Sequence, residues 1–258
     1  MLVIAAVLGL AIGLVVGSVG GGGAILALPV LVYVLGEPVN PAASGALVVV
    51  AVAAAVGAAS LARSGQVCWR LALTFAAPAA VGALLGTLGG AEVGGALLVL
   101  LFVPVMLVAA FATWQRAQGE MDDEGGGCPQ PAPGPVLVAG LAVGLLTGFF
   151  GVGGGFVIVP VLTLWFGVGF RHAVATSLVI ITLTGLVALL SHLAAGSEID
   201  VAVTAALAVP TAVGAFVGTR LSERLPVALL TRAFAVVVCV VALLLFVDVL
   251  LLGGPPGA

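Results

Sequence analysis

Polar residues are so sparse along this chain that they serve as markers between long apolar runs. The first run, Leu2–Leu35, is broken by the glycine cluster Gly20-Gly21-Gly22-Gly23. Ala43–Ala62 follows, bounded by Glu37-Pro38 and by Arg63, and then come Trp69–Leu88 and Val93–Thr113. The stretch from Gln115 to Pro135 is different in kind. It holds Glu120, Asp122, Asp123 and Glu124, three consecutive glycines, and prolines at 129, 131, 133 and 135, and it cannot build a core. The second half repeats the plan: Val136–Val168 broken at Gly151–Gly155, then His172–Ala194, Ile199–Thr219 and Val227–Leu252. A membrane-spanning helix needs about 20 apolar residues, and the uninterrupted runs meet that length.

Composition turns this pattern into a statement about solvent. Charged residues are 7% of the 258 and hydrophobic residues 63%, with a mean hydropathy of +1.41. A soluble domain carries roughly 25% charged residues, so this chain lacks the polar surface to solvate a globule and is expected in lipid. All seven positive charges are arginine and they form no stripe, so the net charge of −3 gives no reason to expect nucleic acid. Met1–Leu8 has no positive leader and the first Arg is Arg63, so the first apolar run is expected to be retained rather than cleaved. Cys68, Cys128 and Cys239 stand far apart and read as isolated apolar fillers or free thiols, without metal-ligand spacing.

The two halves align at an offset of 131 positions. Gly13, Gly17, Gly20, Gly22, Gly23, Pro29 and Leu31 match Gly144, Gly148, Gly151, Gly153, Gly154, Pro160 and Leu162. After one inserted residue, Pro78, Gly82 and Gly86 match Pro210, Gly214 and Gly218. Glycine is abundant here, so single matches mean little; the ordered set with its two proline pairs marks a duplication. Charge bias then orients the copies. The loop after Ala62 carries Arg63 and Arg70, whereas its counterpart, Ala195–Asp200, carries Glu198 and Asp200. The opposite loops reverse, with Glu37 and Glu92 in the first half against Arg171, Arg220 and Arg224 in the second. By the positive-inside rule equivalent loops lie on opposite sides, so the repeats are expected to be inverted. Inversion requires an odd number of net crossings per half. Three spans plus one long run satisfy it only if the long run enters and returns, as a hairpin turning at the glycines with arms of about 12–18 residues.

The expected architecture is therefore an all-α polytopic bundle of two inverted repeats, each a glycine-tipped hairpin plus three spans. Residues 1–114 form the first repeat, 115–135 a cytoplasmic linker, 136–252 the second repeat and 253–258 a disordered tail, with both termini outside a cytoplasmic membrane.

Four consecutive glycines in an apolar run carry the strongest chemical signal. Irregular backbone at membrane depth is tolerated where it is buried in protein or lines a polar cavity. A helix restarting after the turn presents unpaired N–H groups and a positive dipole end, and glycine allows close approach of a ligand to that backbone. Gly20, Gly21, Gly22 and Gly23, with Gly151, Gly153, Gly154 and Gly155, are thus candidate anion-binding residues, meeting near the midplane. By contrast, the Gly-x-x-x-Gly pairs 13/17, 82/86, 144/148 and 214/218 read as helix contacts. Ser44, Thr176 and Ser177 offer hydroxyls that would either contact an anion or bond back to their own helices; Ser18, Thr147, Thr182 and Thr184 are weaker candidates of the same kind. His192 is the candidate for proton coupling, with an interfacial histidine as the plainer alternative. Arg171 reads as a topology determinant.

At these residues the sequence resembles the TauE/SafE family of sulfite exporters. The resemblance rests on Gly20–Gly23 leading into Leu28-Pro29-Val30-Leu31, on Gly148-Phe149-Phe150-Gly151-Val152-Gly153-Gly154-Gly155 leading to Pro160, and on Ala173-Val174-Ala175-Thr176-Ser177-Leu178. It covers nearly the whole chain. It implies export of small sulfur-containing anions, such as sulfite, sulfoacetate or related organosulfonates, driven by protons. The first half departs from its twin, with Ser44-Gly45-Ala46 where the second has Ala175-Thr176-Ser177, so the site would be asymmetric.

Three functions compete: a secondary transporter working by alternating access, a channel for anions or small solutes, and a membrane enzyme. The chain has two His, one Tyr and no paired carboxylates within a span, so no enzyme, metal or cofactor is expected. The expected partners are the lipid bilayer, a small anion and protons, with no nucleic acid; the small-residue motifs would also permit a homodimer.

Overall fold

A computed structural model describes residues 2–21, 24–37, 39–90, 103–104, 106–108, 110–111, 114–115, 127–129, 132–150, 155–194 and 200–252. Among the described residues every regular element is helical. In the first half α1 (Leu2–Val19) leads through a glycine turn to α2 (Ala24–Pro29), which continues as a π-helical turn, Val30–Val34. Then come α3 (Val39–Arg63) and α4 (Trp69–Gly90). In the second half α5 (Pro133–Phe150) precedes α6 (Gly155–Pro160) and a second π-helical turn, Val161–Trp165. It is followed by α7 (Phe170–Ala194), α8 (Val201–Ser222) and α9 (Val227–Leu252). The expected span Val93–Thr113 and the tail 253–258 lie largely or wholly outside the described residues.

Among the described residues five helices are long and apolar enough to cross a membrane: Ser44–Arg63, Trp69–Thr87, Phe170–Ser191, Val201–Ser222 and Val227–Leu244. The outward faces of several are apolar, with Leu73 and Val81 of α4, Leu190 of α7, Val209 and Val213 of α8 and Leu243 of α9 more than half exposed. Such a surface is at home among lipid tails.

The first apolar run breaks at its glycines; in the second, α5 ends at Phe150 and α6 starts at Gly155, and residues 151–154 lie outside the described residues. The 18 residues of α1 reach about 27 Å, close to the hydrocarbon thickness. Gly20 and Gly21 then take φ of +73° and +76°, a region costly to residues with a Cβ. The second arm is short: six α-helical residues and five π-helical ones, slightly under the expected arm length. Its twin in the second half has the same construction. The π-helical turn follows Pro29 in one half and Pro160 in the other. Both close with matched bonds, Glu37 N–H to Leu31 O and Val168 N–H to Leu162 O, each 3.0 Å. Helix α5 starts at Pro133, within the stretch expected to be linker; prolines are tolerated in a first helical turn because no N–H is needed there.

The helices that carry Gly-x-x-x-Gly pairs pack across the halves. A Cβ on Gly13 or Gly17 of α1 would collide with the backbone of Thr211 and Ala215 in α8, and one on Gly214 or Gly218 would collide with Leu10 and Leu14. The equivalent seam joins α5 to α4: Gly144 and Gly148 lie against Ala79 and Ala83, while Gly82 and Gly86 lie against Leu141 and Leu145. Without side chains in the way the backbones touch, and dispersion contacts replace the hydrophobic effect that lipid does not supply.

Candidate functional site

Helix direction sorts the charges. The α3–α4 connection, the start of α7 and the α8–α9 connection are tied together at one end of the bundle. Arg171 Nη1 and Nη2 donate to the carbonyls of Ser222 and Leu225 (2.8 and 2.9 Å), placing a cation at the C-terminus of α8. Ser64 Oγ donates to Glu223 (2.9 Å), and His172 Nδ1 lies 2.7 Å from the Gln66 carbonyl. Among the described residues all the arginines (63, 70, 171, 220, 224 and 232) fall at this end, whereas Glu37 and Asp200 fall at the other. Asp200 caps α8 there, accepting from the N–H groups of Ala202 and Val203. Helix α3 runs toward the arginine-rich end and its repeat equivalent, α7, runs away from it.

The glycine turns meet inside the bundle. A Cβ on Gly21 would lie 2.7 Å from Gly155 Cα, and one on Gly155 would lie 2.8 Å from Gly21 Cα. Ile181, near the middle of the 25-residue α7, touches both positions. Gly20 faces α7 one turn earlier, where a Cβ would come 2.8 Å from Ser177 Oγ and 3.0 Å from Val174 Cα. The site thus brings together Gly20, Gly21, Gly155 and Ser177. Gly22, Gly23, Gly151, Gly153 and Gly154 lie outside the described residues. The first-turn N–H groups of α2 and α6 have no partner within their own helices, and these turns are buried at Ala27 and Ile158.

The hydroxyls are largely committed elsewhere. Ser177 Oγ donates to the Val174 carbonyl (2.8 Å), and Ser18, Thr147, Thr163, Thr182 and Thr184 likewise bond back to carbonyls three or four residues earlier. A hydroxyl whose proton serves its own helix meets an anion only after rotating. Thr176 is fully buried and its Oγ1 accepts the Cys68 N–H (3.1 Å), so it holds the start of α4 against α7. Ser44 is also fully buried, on α3; its neighbour Gly45 faces Thr204 and Leu31 rather than the Gly21–Gly155 contact. His192 lies in the last turn of α7, and its side chain is outside the described residues.

The cysteines are not isolated, contrary to their reading in the sequence: Cys68 and Cys128 are bonded across 60 positions, with Cα atoms 5.3 Å apart. Spacing rules search short separations, so a pair formed by a linker folding back onto the α3–α4 connection is invisible to them. Cys239 is free and exposed. Ile181, a wall of the glycine contact, has no counterpart in the sequence reading, since an apolar residue in an apolar helix carries no local signal.

Between the arginine-rich end and the Gly20 turn lies a cavity of about 10 Å³, room for roughly one water. Ser18, Gln66, Arg171, Val174 and Ser222 line it, and Val174 also backs Gly20.

Membrane-length apolar helices joined through cross-packed glycine seams, with two helix breaks meeting at the centre, define a polytopic helical membrane protein of the transporter class. The chain belongs to the TauE/SafE sulfite exporter family, whose model, "Sulfite exporter TauE/SafE", matches residues 5–245. It is 33% identical over 242 residues to a "Probable membrane transporter protein" of Xylella fastidiosa strain Temecula1, covering 90% of each chain. It is 24% identical over 241 residues to "Probable membrane transporter protein YdhB" of Bacillus subtilis, covering 91% of this chain and 96% of that one. No solved structure matches it. Family and relatives indicate a membrane transporter rather than an enzyme.

Proposed function

We propose that the chain is a secondary transporter that exports small sulfur-containing oxyanions, of the sulfite and organosulfonate class, across the cytoplasmic membrane. The observation that carries this reading is the contact of Gly21 with Gly155 beside the midpoint of α7, where the approaches to α2 and α6 meet against the Ile181 side chain. Unpaired N–H groups and two positive dipole ends converging on one point favour an anion. The description of the family as sulfite exporters supports the substrate class.

The halves are inverted repeats in this reading. Support comes from the opposite running of α3 and α7 and from the reciprocal seams, α1 on α8 and α5 on α4. The arginine-rich end faces the cytoplasm and the termini lie outside, as the positive-inside rule asks. The small cavity at Ser18 and Arg171 is the inner approach to the Gly20 turn, almost closed in this conformation. Rocking one repeat against the other would open the glycine contact to each side in turn, with proton entry driving the cycle and His192 as the relay.

Proteoliposomes loaded with sulfite test the proposal. Efflux should saturate with sulfite concentration and accelerate when an inward proton gradient is imposed. Flux that rises linearly with concentration and ignores the gradient would identify a channel instead. His192→Ala should abolish the gradient response while leaving sulfite binding; an unchanged response removes His192 from the mechanism.

A further inference from the structure

We propose that Cys68, Cys128 and His172, when the cysteines are reduced, form a binding site for a soft metal ion of the zinc class at the arginine-rich end of the bundle. One ligand atom from each of the three lies within 4.8 Å of the others, and each comes from a different segment: the start of α4, the linker, and the first turn of α7. Two thiolates and an imidazole are the donor set that zinc takes in tetrahedral sites, with one position left for water.

The surroundings hold the donors as an outer shell holds a metal centre. Gln66 offers a carbonyl, which only accepts, so His172 Nδ1 donates to it at 2.7 Å and Nε2 keeps its lone pair. Thr176, one turn after His172 on the same face of α7, accepts the Cys68 N–H at 3.1 Å. These two bonds clamp the α3–α4 connection onto α7 and fix the Cys68 backbone beside the imidazole. Cys68 is buried and Cys128 exposed, within Gly127-Cys128-Pro129, so an ion reaches the site from the linker side.

In the proposed orientation, on which this site rests, the arginine-rich end faces the cytoplasm, where thiols are kept reduced. A cytosolic dithiol breaks the Cys68–Cys128 bond, delivering two electrons in all and one proton to each sulfur, and leaves as its own disulfide. Zinc then displaces both thiol protons to solvent. Disulfide and metal are alternative closures of one site: the disulfide ties the linker to the start of α4, and the metal would tie it through His172 to α7 as well.

The test reads metal, not transport. Full-length protein in detergent is reduced with a phosphine, loaded with zinc, desalted and assayed for bound zinc by mass spectrometry. The wild type and Cys239→Ser should retain near-stoichiometric zinc. Cys128→Ser and His172→Gln should fall to background, as should wild type oxidised with diamide before loading. Cys128 is exposed and outside the helices, so its serine variant keeps the fold; size exclusion checks this. Zinc equal in reduced wild type and Cys128→Ser, whether high or low in both, overturns the site. Retention undiminished in His172→Gln overturns the imidazole's part in it. A metal-binding protein that fails to move sulfite would instead contradict the transport reading alone.

Discussion

Two populations of glycine do different work in this molecule. Those of the seams, Gly13, Gly17, Gly82, Gly86, Gly144, Gly148, Gly214 and Gly218, sit in regular helix and are there because a Cβ would strike the backbone of the facing helix. Those of the turn, Gly20 and Gly21, have positive φ and lie where two interrupted helices meet. The first kind sets how close helices come; the second allows the backbone to change direction and to touch Gly155. Composition alone does not separate them. Spacing does: a four-residue period marks the seam, and adjacency marks the turn.

The comparison breaks most sharply at the seams. Gly13→Ala and Gly144→Ala each place a methyl group against a carbonyl of the facing helix. Alanine favours a helix over glycine by about 1 kcal/mol. Overpacking at a backbone contact that cannot yield costs up to about 3 kcal/mol, so the clash wins. Thermal unfolding in detergent should show a large loss of stability for both variants, of similar size if the seams are equivalent. Gly21→Ala should behave differently. The left-handed conformation costs about 1–2 kcal/mol, and the methyl group would lie 2.7 Å from Gly155 Cα and 2.5 Å from the end of the Ile181 side chain, so the two turns must part. The variant should lose anion binding as well as some stability, and binding is read on the fraction that size exclusion shows to be folded.

A third substitution separates helix anchoring from substrate contact. Thr176→Val leaves the Cys68 N–H buried without an acceptor, at about 1–2 kcal/mol, and should lower stability with little effect on anion affinity. The smallest effect is expected at Gly36, which has a φ of +73° and no atom within 4 Å of a Cβ built on it. Gly36→Ala should cost about 1 kcal/mol from backbone strain alone and leave transport intact. If Gly36→Ala abolished binding as Gly21→Ala is expected to, backbone strain rather than the place where the turns meet would explain the loss.

Much of this architecture is readable without coordinates, for physical reasons that differ between elements. Helices α3, α4, α7, α8 and α9 announce themselves because charges are rare and stand at their ends. The break at Gly20 is legible because consecutive glycines have no place in a packed span. The seam glycines are legible because the same four-residue spacing occurs in both halves of the sequence. The partners of these features are not local properties and stay hidden. Nothing near Gly21 says that Gly155 will face it, and nothing near Cys68 says that a linker residue 60 positions on will reach it. Thr176 shows the same limit from the other side: its hydroxyl reads as a candidate ligand in sequence, and nothing local says that it accepts the Cys68 N–H at the start of α4. The π-helical turns after Pro29 and Pro160 also left no signal, because five apolar residues read the same in either helix.

The most direct measurement is the thermal stability of purified protein against sulfite, sulfoacetate, taurine, thiosulfate, sulfate and chloride, for wild type and Gly21→Ala side by side. A ligand that binds the folded state alone raises apparent stability with its concentration relative to its dissociation constant. The account predicts concentration-dependent stabilisation of the wild type by sulfite or a sulfonate and not by chloride, and no such response in folded Gly21→Ala. Equal stabilisation of both proteins would contradict an anion site at the meeting of the glycine turns.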